Sequence, residues 1–263
     1  MENLKLNLKL VKGPIHSLEK AKSKIPVNQS IDGIAAGTAF AGVLAESSSL
    51  LTSAPILVIA GKAKDGITFT GEIEKHSLLG QFTTVRFKEN DELIAVINNS
   101  PVDGRYQVYA IVDPKSGLLY MIYQMGRSVK KGYKAIIMQT YYFTIICGGG
   151  VSIMFLLFYI FDFNYSWNSF FSLLSWIFIS LLMCIGMMAF VNYFGYRKSY
   201  ENFGMLSEQI FEKLGFENPK EQDFYNDFLT DDGVQISVMK YRKNLKGLDP
   251  YPEDYFSKNT TSE

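Results

Sequence analysis

An α+β membrane protein is the fold class this sequence predicts: a small antiparallel β-barrel or sandwich, an antiparallel transmembrane helical hairpin, and a small carboxy-terminal α/β module. Three observations predict it. Every residue from Ala135 to Tyr196 is uncharged except Asp162. Before that stretch, short apolar runs alternate with breaks containing Gly, Pro, Asn or Asp, which is the punctuation of strands and turns. After it, apolar residues recur at helical spacing. The expected division is 1–134, 135–196 and 197–263.

The balance of Lys+Arg 26 against Asp+Glu 26 gives no bulk basic field, so nucleic acid is not an expected partner. Hydrophobic residues make up 48%, which excludes a disordered chain.

Ala135 to Phe161 and Phe163 to Tyr196 are each longer than the roughly 20 residues that cross a hydrocarbon core. Their apolar centres, about 141–161 and 171–193, are joined by DFNYSWNS, short enough only for a tight hairpin. A soluble helix of this length carries a charged stripe, and neither segment has one. Arg127, Lys130, Lys131 and Lys134 precede the first span, Arg197 and Lys198 follow the second, and Asp162 sits in the connector. By the positive-inside rule both termini are expected to be cytoplasmic, with Trp167 and Tyr165 at the outer interface. MENLKLNLKL alternates charge with leucine and is not expected to act as a cleavable signal.

Within the spans, Gly148, Gly149, Gly150 and Gly186 permit close backbone approach, and three consecutive glycines equally permit a kink. Cys147 and Cys184 fall at similar depth; reduced thiols at a packed interface are favoured over a disulfide. The polar groups there are neutral, including Thr144, Ser152, Ser175, Ser180 and Asn192, so autonomous transport is not expected.

The amino-terminal part holds 17 basic and 12 acidic residues, with Lys5, Lys9, Lys12, Lys20, Lys22 and Lys24 at its start, a pattern that usually marks a solvated face. Leu4, Leu6, Leu8 and Leu10 alternate with polar residues, predicting a strand that ends at Gly13-Pro14, followed by a basic linker. The Gly/Ala-rich segment 31–54 is too short between Asp32 and Glu46 to span securely; it is either a hairpin or helix against the sheet or a segment that enters a bilayer. ILVIAG, ITFTGEIEKH, TTVRFKE, ELIAVIN, YQVYAIV and LLYMIYQ are then expected as strands.

The carboxy-terminal part holds 9 basic and 13 acidic residues, opposite in balance to the amino-terminal part, so the two are expected to attract. MLSEQIFEKLGF places Leu206, Ile210, Phe211 and Leu214 on one helical face, with Ser207 as a cap and Gly215 as the stop. A second helix is expected from Asn218-Pro219 through Phe228, then a strand VQISVMKY, then a loose tail DPYPEDYFSKNTTSE.

His16 and His76 have no histidine or cysteine near them in sequence, and phosphate-loop, nucleophile-elbow and zincin motifs are missing, so no catalytic residue, metal or cofactor is expected. Glu72, Glu74 and His76 fall on alternate positions of one strand, where an exposed face is the ordinary reading and an acid–base site the alternative.

The order of FTGEIEKHSLLGQ, the Glu89 to Glu92 turn before LIAVI, DGRYQVYAIVDP, LLYMIY with a basic stretch, two spans and IFEKLGF resembles a bacterial family of membrane proteins regarded as type VI secretion system effectors. The likeness runs from the Gly/Ala-rich segment to Ile210, Phe211, Leu214, Gly215 and Phe216, and includes Ala110-Ile111 followed by Asp113-Pro114. It implies a Gly/Ala-rich hairpin and small barrel ahead of a transmembrane pair. Arg127 stands where the family tends to have a basic-glycine pair, but Ser128 follows it. The resemblance implies interbacterial competition at the membrane, with the lipid bilayer and copies of itself as partners for an effector. For an immunity protein or a scaffold, the partner is a cognate toxin, immunity protein or secretion-system component.

Overall fold

The computed structural model describes residues 6–26, 63–161, 167–191, 197–225 and 237–259. The Gly/Ala-rich segment 31–54, ILVIAG, Asp162 and Phe228 lie outside them. The chain packs as two units, one of Met1–Val129 with Asn202–Glu263 and one of Lys130–Glu201. The parts expected as 1–134 and 197–263 thus contribute most of their residues to a single unit.

Among the described residues that unit holds seven strands: β1 (Leu8–Pro26), β2 (Ala63–Ile73), β3 (His76–Phe82), β4 (Glu92–Asn98), β5 (Tyr106–Asp113), β6 (Leu118–Met121) and β7 (Val238–Lys240). Their order is β3-β2-β1-β4-β5-β6-β7, and β3 also pairs with β5. This second pairing, Leu78 with Tyr106 and Leu79 with Gln107, is parallel and closes β1 to β5 into a barrel. The expected barrel is therefore present, with one parallel seam in an otherwise antiparallel ring. The connectivity is that of a five-stranded Greek-key barrel of OB type, an architecture that does not specify activity.

Closure depends on β1 being long. Gly13-Pro14 does not end the strand; it is where the strand changes partner. Leu8 to Pro14 pair with β4, and Ile15 to Pro26 pair with β2. Gly13 takes φ 145, and Pro14 lacks an N–H, so the pair breaks one ladder at the point where the other begins. The stretch expected as a basic linker is strand.

β4, β5 and β6 are buried on both faces, which explains their continuous apolar runs. Leu93, Ala95, Ile97, Val108, Ile111 and Tyr120 face the barrel interior, where Phe69, Phe82 and Phe87 also meet. Ile94, Val96, Ala110, Val112, Leu119 and Met121 face a second core. Tyr109 joins that second core beside Ala110 because the register shifts between Val96 and Ile97, a bulge that puts consecutive residues on one side.

The second core is completed by helix α3 (Arg197–Lys213), whose Leu206, Ile210 and Phe211 are fully buried together with Leu214 just beyond it. Phe216 N–H bonds the Phe211 carbonyl and Gly215 N–H the Glu212 carbonyl, with Gly215 at φ 74. This is a Schellman stop, and Gly215 ends the helix as expected. Ser207 is not a cap. It lies inside the helix, where its hydroxyl donates to the Phe203 carbonyl and accepts from Gly126 N–H.

Three further expectations give way to tertiary contacts. TTVRFKE forms no ladder, although Val85 and Phe87 are buried; the carbonyls of both are taken by Lys20 Nζ, at 3.3 and 2.5 Å. Of the helix expected from Asn218 to Phe228, only the turn Pro219–Glu221 is helical among the residues described up to Tyr225, and Phe224 instead packs edge-on to Phe211. The tail is docked as far as Asn259: Tyr251 is buried and α4 (Tyr255–Asn259) follows, because three aromatic rings there have apolar surface to cover.

The second unit contains the body of α1 (Val129–Phe161) and all of α2 (Trp167–Val191), of 33 and 25 residues. At about 1.5 Å per residue both exceed a ~30 Å hydrocarbon core.

Candidate functional site

The two helices carry the clearest functional signal. The stretches Val129–Met154 and Phe171–Phe190 have mean hydropathy 1.4 and 2.3, yet only 11% and 6% of their most apolar windows are buried within the protein. A core helix of a soluble protein has the same composition but hides it. Here Ile146 and Met183 are 72% and 71% exposed.

Polar side chains along the helices are satisfied locally. Thr140 donates to the Ile136 carbonyl, Thr144 to Thr140, Ser152 to Gly148, Ser175 to Phe171 and Ser180 to Ile177. Such back-bonding engages a hydroxyl within its own helix, as an apolar solvent favours. Gly148 lies under Leu181 so closely that a Cβ there would overlap it, and the two residues stand at matching distances from the link between the helices. Gly149, Gly150 and Gly186 have nothing within 4 Å of a built Cβ. Of the four glycines singled out from the sequence, one packs and three face open space. Cys147 and Cys184 are free thiols, each half-buried.

Among the orientation residues, Lys130, Lys131 and Lys134 occupy the first turns of α1. Trp167 opens α2 and Arg197 and Lys198 open α3, their side chains lying outside the described residues. Arg127 has a structural task that its charge alone does not reveal. Its Nε lies 2.9 Å from Asp223, it donates to the Tyr225 carbonyl, and it stacks over the Tyr225 ring. Next to it, Ser128 bonds Gln222 and Lys220, and Val129 N–H is capped by the Glu208 carboxylate at 2.9 Å. The segment leading into α1 is thus clamped within its own unit, and Glu208 supplies the negative charge a helix start favours.

The lysines of β1 are also employed, beyond the solvated face expected of them. Lys9 contacts His76, Lys12 bonds the Tyr255 hydroxyl and lies over its ring, and Lys24 pairs with Asp65. Burial holds the Lys20 ammonium below the ordinary lysine range, against the opposing pull of Asp91. Their alternation in sequence was a strand signal, but their partners come from distant segments.

Glu72, Glu74 and His76 do not share one strand face. Ile73 pairs with His76, so a tight turn falls between them, with Glu74 at φ 57. Among the described residues no three His, Cys, Asp or Glu side chains converge as a metal site would require.

An open cleft of about 1300 Å³ lies where the β3–β4 loop, the β5–β6 turn and the docked tail meet. Arg86, Lys88 and Lys115 line it with Glu92, Glu253 and Asp254. Asp91 and Asp113, also in its wall, are committed to turns: Asp91 accepts Lys88 N–H and Asp113 accepts Ser116. The lining is mixed in charge and largely polar, unlike the apolar pockets that enclose small molecules. Sequence reasoning missed it, since its walls are brought together only by folding.

Comparison with family models, curated proteins and solved structures finds no match to this chain.

Proposed function

We propose that this is a two-pass protein of a bacterial inner membrane, with both termini cytoplasmic, that serves type VI secretion-linked antagonism as a membrane-targeting effector and performs no catalysis of its own. The observation that carries the membrane part is the 11% and 6% burial of its most apolar helical windows, a surface that water does not tolerate and lipid does. Back-bonded hydroxyls support the same reading. Lys130, Lys131 and Lys134 support the orientation: cations are disfavoured at a helix amino terminus, so an anionic cytoplasmic leaflet accounts for them better than the helix does. The setting in antagonism rests on the family resemblance of the sequence.

A second reading, a resident immunity protein or scaffold that captures a soluble partner, is favoured by the cleft, which presents Lys88, Lys115, Glu92 and Glu253 exposed at its rim. Expression in a bacterial host separates the two. The effector reading expects carbonate-resistant membrane association, terminal reporters active only inside, and membrane depolarisation with growth arrest. Recovery in the soluble fraction removes the membrane reading. Membrane association with harmless expression removes the effector reading and leaves the resident one.

A further inference from the structure

At one end of the barrel His76 stands between a donor and an acceptor. Its Nε2 is 2.7 Å from Lys9 Nζ, its Nδ1 is 3.8 Å from Glu74 Oε2, and its ring meets Tyr106 edge-on at 5.0 Å. The side chain is 14% exposed, and Nδ1 is buried with no hydrogen bond. An ammonium has only donors, so Lys9 donates and Nε2 accepts; the imidazole is therefore neutral and carries its proton on Nδ1. That proton lies toward a carboxylate just beyond bonding reach. A buried orphan donor calls for an explanation.

We propose that His76 is a proton-driven latch. Neutral, it fastens β1 to the β2–β3 hairpin through Lys9; protonated, it releases Lys9 and turns to Glu74. The incoming proton, taken from solvent, binds the Nε2 lone pair that Lys9 was using. Two cations then face each other at 2.7 Å, which drives the ammonium away, while the charge gained on the ring draws Nδ1–H to Glu74. The groups facing the imidazole are Lys9 from β1, Glu74 from the hairpin turn with Lys75 beside it, and the neutral Tyr106 ring from β5. Lys9 pairs in turn with Ile97 of β4, so release loosens the first half of β1, just after Leu6, whose N–H bonds Gln209 of α3. This device is independent of the antagonism reading.

The test uses the full chain in detergent micelles with ¹⁵N-labelled histidine. Only His16 and His76 exist, and His16→Gln assigns the remaining signal. At pH 8 the His76 ring is expected as the Nδ1–H tautomer, and Lys9→Met is expected to abolish that preference. On moving to pH 5, amide exchange at Lys9 and through the β2–β3 hairpin, taken relative to the intrinsic chemical exchange rate at each pH, is expected to accelerate roughly tenfold in the unsubstituted protein and to stay level in His76→Gln. An Nε2–H tautomer at pH 8, a tautomer indifferent to Lys9→Met, or acceleration that is missing from the unsubstituted protein or persists in His76→Gln overturns the latch. The tautomer measurement stands even if His76→Gln does not fold.

Discussion

Glu89 holds the backbone of Ser17: its carboxylate accepts the Ser17 N–H at 2.7 Å and, with its other oxygen, the Leu18 N–H at 2.7 Å. Ser17 has φ 52 and lies in the bulge where β1 slips register between His16 and Glu19. Two successive N–H groups in such a bend form a nest for an anion, and here the anion is internal. The contact is exposed, so Glu89→Ala is expected to cost only about 1 kcal/mol. Thermal unfolding of Glu89→Ala and Glu89→Gln checks this, and a Gln variant as damaged as Ala would show that charge, more than acceptor geometry, fixes the bulge.

The barrel interior leaves no room at Gly80. A Cβ there would overlap the Phe69 ring and approach Val108 Cβ at 3.2 Å. Gly80→Ala is expected to destabilise by about 1–3 kcal/mol through overpacking. Pairing it with Phe69→Leu should recover part of the loss, since the smaller side chain vacates the space. Gly149→Ala, which meets nothing, serves as the comparison and should be tolerated. A double-mutant cycle that shows simple additivity would rule out the Phe69 contact as the cause.

Lys20 bridges β1 to an extended segment with no ladder of its own. Lys20→Met keeps the aliphatic stem and removes the donor shared by the Val85 and Phe87 carbonyls. A loss of about 1–3 kcal/mol is expected from carbonyls left without their partner. Faster amide exchange should be confined to residues around Thr83 to Glu89; exchange that accelerates across β4 and β5 as well would show a wider role.

Alkaline pH should destabilise the barrel unit. Burial pushes the Tyr109 phenol up to about 12 and, with help from Tyr255 and Asp249, the Tyr251 phenol up to about 12, against 10 for the free group. A raised pKa means the folded state holds the proton more tightly, so the stabilisation is complete below pH 10 and is lost as pH climbs from 10 to 12. Each tyrosine accounts for about 2–3 kcal/mol at the upper limit. Melting temperatures measured from pH 8 to 12 should fall over that window, less steeply in Tyr251→Phe. An identical slope in the variant would exclude Tyr251 from the effect.

The sequence by itself determined what is local. The uncharged run from Ala135 to Tyr196 fixed two helices with no charged stripe. The Leu206, Ile210, Phe211, Leu214 spacing with Gly215 fixed α3 and its stop. The apolar runs ELIAVIN and YQVYAIV, set between turn residues, marked strands. Each of these depends on neighbours within a turn or a strand, which is the range that periodicity reports.

Only the tertiary structure decided what depends on partners distant in the chain. Whether Gly13-Pro14 stops a strand or passes it to a new neighbour is settled by β4 and β2 lying on either side. TTVRFKE has a strand's alternation, but Lys20 took its carbonyls before another strand did. Arg127 and the β1 lysines looked like free charges until Asp223, His76 and Tyr255 were brought to them. The aromatic tail was docked by a surface that several separated segments build. A side chain's partner is a property of the closed barrel, and the composition of its own segment carries no record of it.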